Sequence, residues 1–186
     1  MFPAIFLDRD GVLIENRADY VRKWSQVKAL PAAIEALTNS NLEKYKIVIV
    51  TNQSAVGRNI ISIKTAININ DRLVDLIRGQ AGKLDSAFLC PHDPSAGCDC
   101  RKPKPGLLLQ AAKELSLDLK SSWMIGDAWT DVQAGQSAGV RGTIIVKTGR
   151  GTDQLSMSPP KGVDNYLVCD NLPKALETLL EKDNTN

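Results

Sequence analysis

The chain has 186 residues, a length that fits one domain with its own hydrophobic core and leaves little room for a second. Its 23 Lys and Arg residues nearly balance its 21 Asp and Glu residues, so the charge indicates neither a nucleic-acid surface nor a membrane surface. The N-terminus lacks the features of a signal peptide, and no apolar run approaches the ~20 residues of a membrane span. We therefore expect a cytoplasmic, monomeric protein with one domain over residues 1–186 that binds neither nucleic acid nor a membrane.

Short apolar runs alternate along the chain with segments of helical periodicity. The strand-like runs are residues 4–8, 46–52, 84–90, 122–127, 142–148 and 165–170. The helical segments are residues 31–39, 61–79, 105–116, 130–139 and 171–182, whereas 149–162 has the composition of a surface loop and 182–186 that of a frayed tail. Because the strand-like runs lack polar alternation, they predict a doubly wound, parallel α/β sheet that helices cover on both faces.

Polar side chains stand where several of these runs end. The carboxyl ends of parallel strands share one edge of the sheet, so Asp8, Thr51 and Asp127 are expected to converge on one crevice. Asp10 and Asp131 add two more carboxylates nearby in sequence. Carboxylates about 4 Å apart repel by roughly 4 kcal/mol per pair at an effective dielectric constant near 20. Such a cluster favours a bound divalent cation, and Mg²⁺ fits a site that also receives a phosphate oxygen.

The segment Thr51-Asn52-Gln53-Ser54 places four hydrogen-bonding side chains directly after a strand-like run. A single threonine in this position would most simply cap a following helix. Four such residues in succession favour contact with a phosphate or another part of a substrate. We therefore predict that all four bind the substrate.

The sequence CPHDPSAGCDC, residues 90–100, contains the only histidine of the chain and three of its four cysteines. Cys90, His92, Cys98 and Cys100 form the closed set of four ligands that is typical of structural zinc. The alternative is a loop of surface thiols without metal. Cys169 lies in an apolar run and is expected to be a buried hydrophobic residue.

Four short motifs in this order resemble those of the haloacid dehalogenase (HAD) superfamily of phosphatases and phosphomutases. They are DRDG (8–11), TNQS (51–54), the lysine of RKPKPG (101–106) and GDAWTD (126–131). The resemblance implies that Asp8 is the nucleophile that accepts the phosphoryl group and that Asp10 is the general acid and base. It also implies that Asp8, the backbone carbonyl of Asp10, and Asp127 hold Mg²⁺.

Residues 90–100, called the zinc loop below, narrow the resemblance to the histidinol-phosphatase subgroup. Within it the chain most closely resembles the D-glycero-D-manno-heptose 1,7-bisphosphate 7-phosphatases, which have little or no cap domain. This similarity implies a Mg²⁺-dependent enzyme that removes the 7-phosphate of a small phosphorylated sugar. It further implies that Lys102 stabilises the phosphoryl group and that Arg101 recognises the substrate, with Lys104 as the alternative lysine. Ala128 departs from the pattern, because the heptose enzymes tend to have a lysine or another polar residue there. A second phosphate is therefore expected to be bound less well, which would weaken selectivity.

Three alternatives stay open at this point. Within the enzymes they are a histidinol-phosphate phosphatase and a nucleic-acid 3′-phosphatase, and the near-neutral charge argues against the second. The third is a non-catalytic, zinc-stabilised binding module whose contact patch is RKPK (101–104). Such a module would not need carboxylates at two strand ends, and it would usually carry a larger basic excess.

Overall fold

One parallel sheet with helices on both faces forms the body of the protein in the computed structural model, which describes residues 1–185. The strands are β1 (Ala4–Leu7), β2 (Lys46–Asn52), β3 (Ser86–Cys90), β4 (Trp123–Gly126), β5 (Gly142–Val146) and β6 (Leu167–Cys169). The helices are α1 (Pro31–Ala36), α2 (Ser54–Gly57), α3 (Ile63–Gly79), α4 (Gly106–Leu115), α5 (Trp129–Ala138), α6 (Gly151–Ser156) and α7 (Leu172–Asn184). The predicted α/β class and the positions of all six strands are confirmed.

The order of the strands places the functional crevice. The sheet runs β3-β2-β1-β4-β5-β6, and every pairing is parallel. From β1 the chain builds outward through β2 and β3, then returns to the other side of β1 to begin β4. Ligands of doubly wound sheets bind beyond the carboxyl ends of the strands at this reversal. The residues after β1 and β4 are therefore the natural site of chemistry.

Alternate residues of β1 face two separate apolar layers, which explains why the run shows no polar alternation. Ile5 and Leu7 pack in a cluster that includes side chains of α1, α3 and α7. Ala4 and Phe6 pack on the opposite face, against α4 and α5. All four side chains are fully buried, so the strand is held from both sides and its end is a rigid base for the residues that follow.

The prediction of a loop over residues 149–162 is wrong in part, because α6 lies within it. This helix has only six residues, fewer than two turns, so the sequence cannot show a 3.6-residue period there. Tertiary contacts hold the helix in place: Trp129 donates a hydrogen bond from its indole Nε1 to the carbonyl of Gln154, at 2.8 Å. The backbone N–H of Trp129 also donates to Gln154 Oε1, at 3.1 Å.

The C-terminal tail was predicted to fray from residue 182, whereas α7 continues to Asn184. Asp183 explains the difference, because its carboxylate accepts hydrogen bonds from Tyr45 and Trp123 and pairs with Arg141 Nε at 3.2 Å. These partners come from distant parts of the chain, so no local pattern announces them. The apolar face predicted for this helix, made of Leu172, Leu176, Leu179 and Leu180, is buried.

Candidate active site

A crevice of about 380 Å³ opens at the carboxyl edge of the sheet, where the strand order reverses. The structure brings together eight of the residues predicted for catalysis and substrate binding: Asp8, Asp10, Thr51, Asn52, Gln53, Ser54, Arg101 and Lys102. They come from the ends of β1 and β2 and from the segment that follows the zinc loop. Asp8 and Lys102, which are 94 positions apart in the chain, thus share one cavity.

Three buried carboxyl groups meet beside this crevice. Asp8, Asp127 and Asp131 each have an oxygen within 4.8 Å of the others, and the three residues are 5%, 0% and 1% exposed. Charges at that separation repel by roughly 3 kcal/mol per pair at an effective dielectric constant near 20. Burial raises the pKa of Asp131 to about 7, with Lys102 opposing the shift and Asp8 and Asp127 adding to it. The set therefore fits a divalent cation. It contains three of the four aspartates expected in the cluster, whereas the carboxylate of Asp10 lies outside it.

Lys102 is the lysine that reaches Asp8. Its Nζ donates to Asp8 Oδ1 at 2.8 Å and to the carbonyl of Val50 at 2.7 Å, and it lies 2.6 Å from Asp131 Oδ1. The side chain is 2% exposed. Lys104 points elsewhere, since its Nζ donates to Asp99 Oδ1 at 2.8 Å and to a carbonyl of the zinc loop. Of the two candidates, Lys102 is the one that can neutralise charge at Asp8.

Asp127 is held by its neighbours on two sides. Arg150, which follows β5, donates its backbone N–H to Asp127 Oδ2 at 2.8 Å and its Nη2 to Oδ1 at 2.9 Å. Gly11, the glycine of DRDG, adopts φ +85° and lies so close to this carboxylate that a Cβ would overlap it. The motif therefore needs glycine for both its backbone conformation and its contact. Burial and the Asp8 charge raise the pKa of Asp127, and Arg150 opposes them.

Asp10 faces a different set of partners from those of Asp8. Arg9 donates hydrogen bonds from Nε and Nη2 to the Asp10 carboxylate, the shortest of them 2.9 Å long. Gln53 Nε2 donates both to Asp10 Oδ2, at 3.1 Å, and to Thr51 Oγ1, at 2.9 Å. The carboxylate of Asp10 is 20% exposed, so it is oriented by fixed donors while one side stays accessible from the crevice.

Asn52 and Ser54 organise the basic residues beyond the zinc loop. The Asn52 amide donates to the carbonyl of Lys102 at 3.0 Å, and its Oδ1 accepts from the Lys102 N–H at 3.1 Å. Ser54 Oγ accepts from Arg101 Nη1 at 2.7 Å. The end of β2 and the start of α2 therefore position Arg101 and Lys102 in addition to lining the crevice.

The four predicted zinc ligands also come together. Cys90 ends β3, and its Sγ lies 3.6 Å from Cys98 Sγ, while Cys98 and Cys100 are likewise 3.6 Å apart. His92 Nδ1 lies 3.2 Å from Cys100 Sγ. Sulfur atoms about 2.3 Å from one tetrahedral zinc ion would be about 3.8 Å apart, so the spacing fits that ion.

The thiols of the cluster differ in their electrostatics. Burial opposes ionisation of Cys98, but hydrogen bonds from Cys100 and from the backbone of Arg101 outweigh it and lower the pKa of Cys98. Burial raises the pKa of Cys90. Burial and the adjacent Cys90 and Cys98 raise the pKa of Cys100 to about 12. Thiolates are the form that binds zinc, so a bound cation is what would allow these groups to ionise together. The residues present therefore fit a structural zinc ion.

Several crevice residues were not identified from the sequence: Arg9, Arg17, Arg58 and Arg150. Asn70, which lies behind the crevice and accepts a hydrogen bond from Arg9, was not identified either. Asn70 left a signal, because it stands on the apolar face of α3 between Ile69 and Leu73. No sequence pattern indicates Arg150, because β5 places it next to Asp127, which is 23 residues away in the chain.

Comparison with known proteins agrees with this geometry. Residues 99–175 match the HAD-hydrolase-like family model. The D-glycero-β-D-manno-heptose-1,7-bisphosphate 7-phosphatase of Pseudomonas aeruginosa is 33% identical over 177 residues, which cover 95% of this chain and 97% of that relative. The chain belongs to this phosphatase family. The family member of Pasteurella multocida is 39% identical over 156 residues, covering 81% of this chain and 84% of its own.

A solved structure of the heptose-bisphosphate phosphatase family supports the assignment. The crystal structure of D,D-heptose 1,7-bisphosphate phosphatase from Bordetella bronchiseptica, complexed with magnesium and phosphate, superposes with a TM-score of 0.87. It is 32% identical, and the match covers 97% of this chain and 99% of that one. The resemblance inferred from the four motifs is thereby confirmed, and so is the phosphatase class.

Proposed function

We propose that the chain is a Mg²⁺-dependent phosphatase that removes the 7-phosphate of D-glycero-D-manno-heptose 1,7-bisphosphate through an aspartyl phosphate at Asp8. The observation that carries the proposal is the pairing of Asp8 with Lys102 inside a buried carboxylate cluster at the strand reversal. The names of relatives that match nearly the whole chain support the choice of substrate. Histidinol phosphate is the alternative substrate against which it has to be tested.

The residues of the crevice divide the reaction between them. An oxygen of Asp8 attacks phosphorus, and the bond from phosphorus to the sugar oxygen breaks as Asp10 gives that oxygen a proton. Water then attacks the phosphorus of the aspartyl phosphate and gives a proton to Asp10, which restores both aspartates. Lys102 and Thr51 would stabilise charge on the phosphoryl oxygens throughout.

The metal sites follow from the same arrangement. Asp8, Asp127 and the backbone carbonyl of Asp10 would hold Mg²⁺, and Asp131 lies within the same cluster. A bound Mg²⁺ would supply positive charge between these carboxylates and the phosphate. Cys90, His92, Cys98 and Cys100 would hold Zn²⁺, and a bound ion would keep Arg101 and Lys102 in place.

The expected partner is a small phosphorylated sugar. Among residues 1–185, no helix combines the length and apolarity that crossing a bilayer requires. Placement in the cytoplasm and a monomeric state are part of the proposal, and neither nucleic acid nor a membrane is expected as a partner. The net charge of +2 supports the expectation that the protein binds neither nucleic acid nor a membrane.

Zinc removal should cost both stability and activity. Cys98→Ala takes away one of four ligands, so we expect loss of bound zinc and, for a loss of about 3 kcal/mol, a melting temperature lower by roughly 6–12 °C. Metal analysis of dialysed protein, calorimetry and an assay of phosphate release measure the losses of zinc, stability and activity. Cys169→Ala is the matched control, because Cys169 is buried in β6 outside the cluster and its replacement should leave zinc in place. If anaerobically prepared wild-type protein contained no zinc, the proposed zinc site would be wrong.

Arg101 should matter for binding a bisphosphate more than for chemistry. It lines the crevice beside Ser54, where its charge can meet a second phosphate. Loss of one charge-assisted hydrogen bond should raise KM for the heptose bisphosphate about tenfold or more in Arg101→Ala. The kcat for a small monophosphate should change little. Steady-state kinetics with Lys104→Ala as the control measure this, and an equal loss on both substrates would argue against such a role.

A further inference from the structure

Arg9, which separates the two catalytic aspartates in the sequence, has a buried side chain. Arg9 is 1% exposed, and its guanidinium binds the Asp10 carboxylate on one side through Nε (3.1 Å) and Nη2 (2.9 Å). An arginine is rarely buried this completely unless fixed partners receive its hydrogen bonds. Its planar fork can orient a carboxylate in a way that a lysine cannot.

The other side of the guanidinium contacts Asn70 of α3 and Gln53, which precedes α2. Arg9 Nη1 donates to Asn70 Oδ1 at 2.9 Å, and Nη2 donates to Gln53 Oε1 at 3.0 Å. Asn70 is 2% exposed and stands on the apolar face of α3. Its own Nδ2 has no hydrogen-bond partner among residues 1–185. A leucine would suit that helix face better than an amide with an unpaired donor, so packing alone does not account for Asn70.

We propose that Asn70 and Arg9 are positioning residues, which together orient the carboxyl group of Asp10 for proton transfer to the leaving oxygen. This inference rests on the proposed function. As the phosphorus–oxygen bond breaks, the proton of Asp10 moves to the sugar oxygen and Asp10 becomes a carboxylate. Arg9 stabilises that carboxylate and keeps all of its own protons. Asn70 acts through Arg9 and touches neither substrate nor metal.

The choice of leaving group separates this role from a structural one. A sugar or alkyl alkoxide needs a proton to leave, whereas p-nitrophenolate leaves without one. The ratio kcat/KM reports the steps up to departure of the leaving group, so it is insensitive to the later hydrolysis of the aspartyl phosphate. A misplaced general acid should therefore lower kcat/KM for alkyl esters selectively.

The experiment compares the heptose bisphosphate with p-nitrophenyl phosphate in Asn70→Leu. We expect kcat/KM for the sugar ester to fall about tenfold or more, and that for p-nitrophenyl phosphate to stay within about threefold. Arg9→Lys, which keeps the charge and loses the fork, should show the same selectivity. Asn70→Asp restores an acceptor for Arg9 and should recover most of the sugar-ester activity. Asn68→Leu is the matched control, because Asn68 is exposed on the same helix.

The outcomes distinguish the two levels of the account. Wild-type protein that hydrolyses neither ester with Mg²⁺ would overturn the proposed function. An active wild type, together with an equal loss on both esters in Asn70→Leu or no rescue in Asn70→Asp, would overturn the positioning role and leave the phosphatase standing. Melting temperatures of all variants identify any that fail to fold, in which case Arg9→Lys and Asn70→Asp still decide the question.

Discussion

Asp8→Asn should reduce Mg²⁺-dependent phosphate release by about 10⁴-fold or more, because an amide cannot serve as the nucleophile that forms an aspartyl phosphate. The substitution keeps the shape of the side chain at the end of β1. It also removes one of three clustered carboxylates, so the metal-free variant should be no less stable than the wild type. Phosphate release on the best available substrate, together with a melting curve, measures both effects.

Asp10→Asn provides the comparison for this result. It keeps the nucleophile and removes the proton donor and acceptor, so it should slow both formation and hydrolysis of the aspartyl phosphate without preventing its formation. Mass spectrometry after acid quenching can detect the phosphorylated chain. If Asp8→Asn kept full turnover, or if the phosphoryl group were found on another residue, the covalent mechanism assigned to Asp8 would be wrong.

Lys102→Met should lower kcat about 10²- to 10³-fold, as loss of one preorganised group that stabilises transition-state charge typically does. Lys102 is the buried cation that contacts both Asp8 and Asp131. Its removal leaves buried carboxylates with less compensation, so the metal-free variant should also melt at a lower temperature. Added Mg²⁺ should recover part of that stability, since a cation again lies among the carboxylates.

Lys104→Met is the matched control for this effect. Lys104 is exposed and pairs with Asp99 within the zinc loop, so its loss should change kcat by less than about threefold. The pair of variants decides which lysine serves the phosphoryl group. A larger loss of kcat in Lys104→Met than in Lys102→Met would reverse the assignment made from the contacts of the two side chains.

The fold could be predicted because its strands are buried on both faces. Runs such as residues 46–52 are apolar without alternation, and they end at the polar residues that line the crevice. The short helix α6 could not be predicted, because six residues hold too little periodicity and its position depends on Trp129. The end of α7 depends in the same way on partners of Asp183 that are remote in sequence.

The residues of the site likewise fall into those that the sequence could predict and those that depend on tertiary contacts. The carboxylates and the zinc ligands occur in local motifs, so their types and spacing were visible in the sequence. The choice between Lys102 and Lys104 was not, since both lie in the same basic run. Tertiary contacts make the difference, because the Asn52 amide holds the backbone of Lys102 beside the strand ends. Arg150 reaches Asp127 only through the order of strands in the sheet.

Ala128 was singled out as a departure that could weaken selectivity. It is 2% exposed, and its N–H donates to Asp131 Oδ2 at 3.1 Å. Its methyl group cannot supply the charge that a lysine would bring to a second phosphate. We therefore expect weaker discrimination in favour of the bisphosphate than in relatives with a lysine at this position.

Steady-state kinetics on D-glycero-D-manno-heptose 1,7-bisphosphate and on histidinol phosphate, side by side with Mg²⁺, test the central claim most directly. The account predicts the higher kcat/KM for the heptose bisphosphate, with phosphorus NMR showing that the 7-phosphate is the one released. A higher kcat/KM for histidinol phosphate, or release of the 1-phosphate, would contradict the substrate assignment.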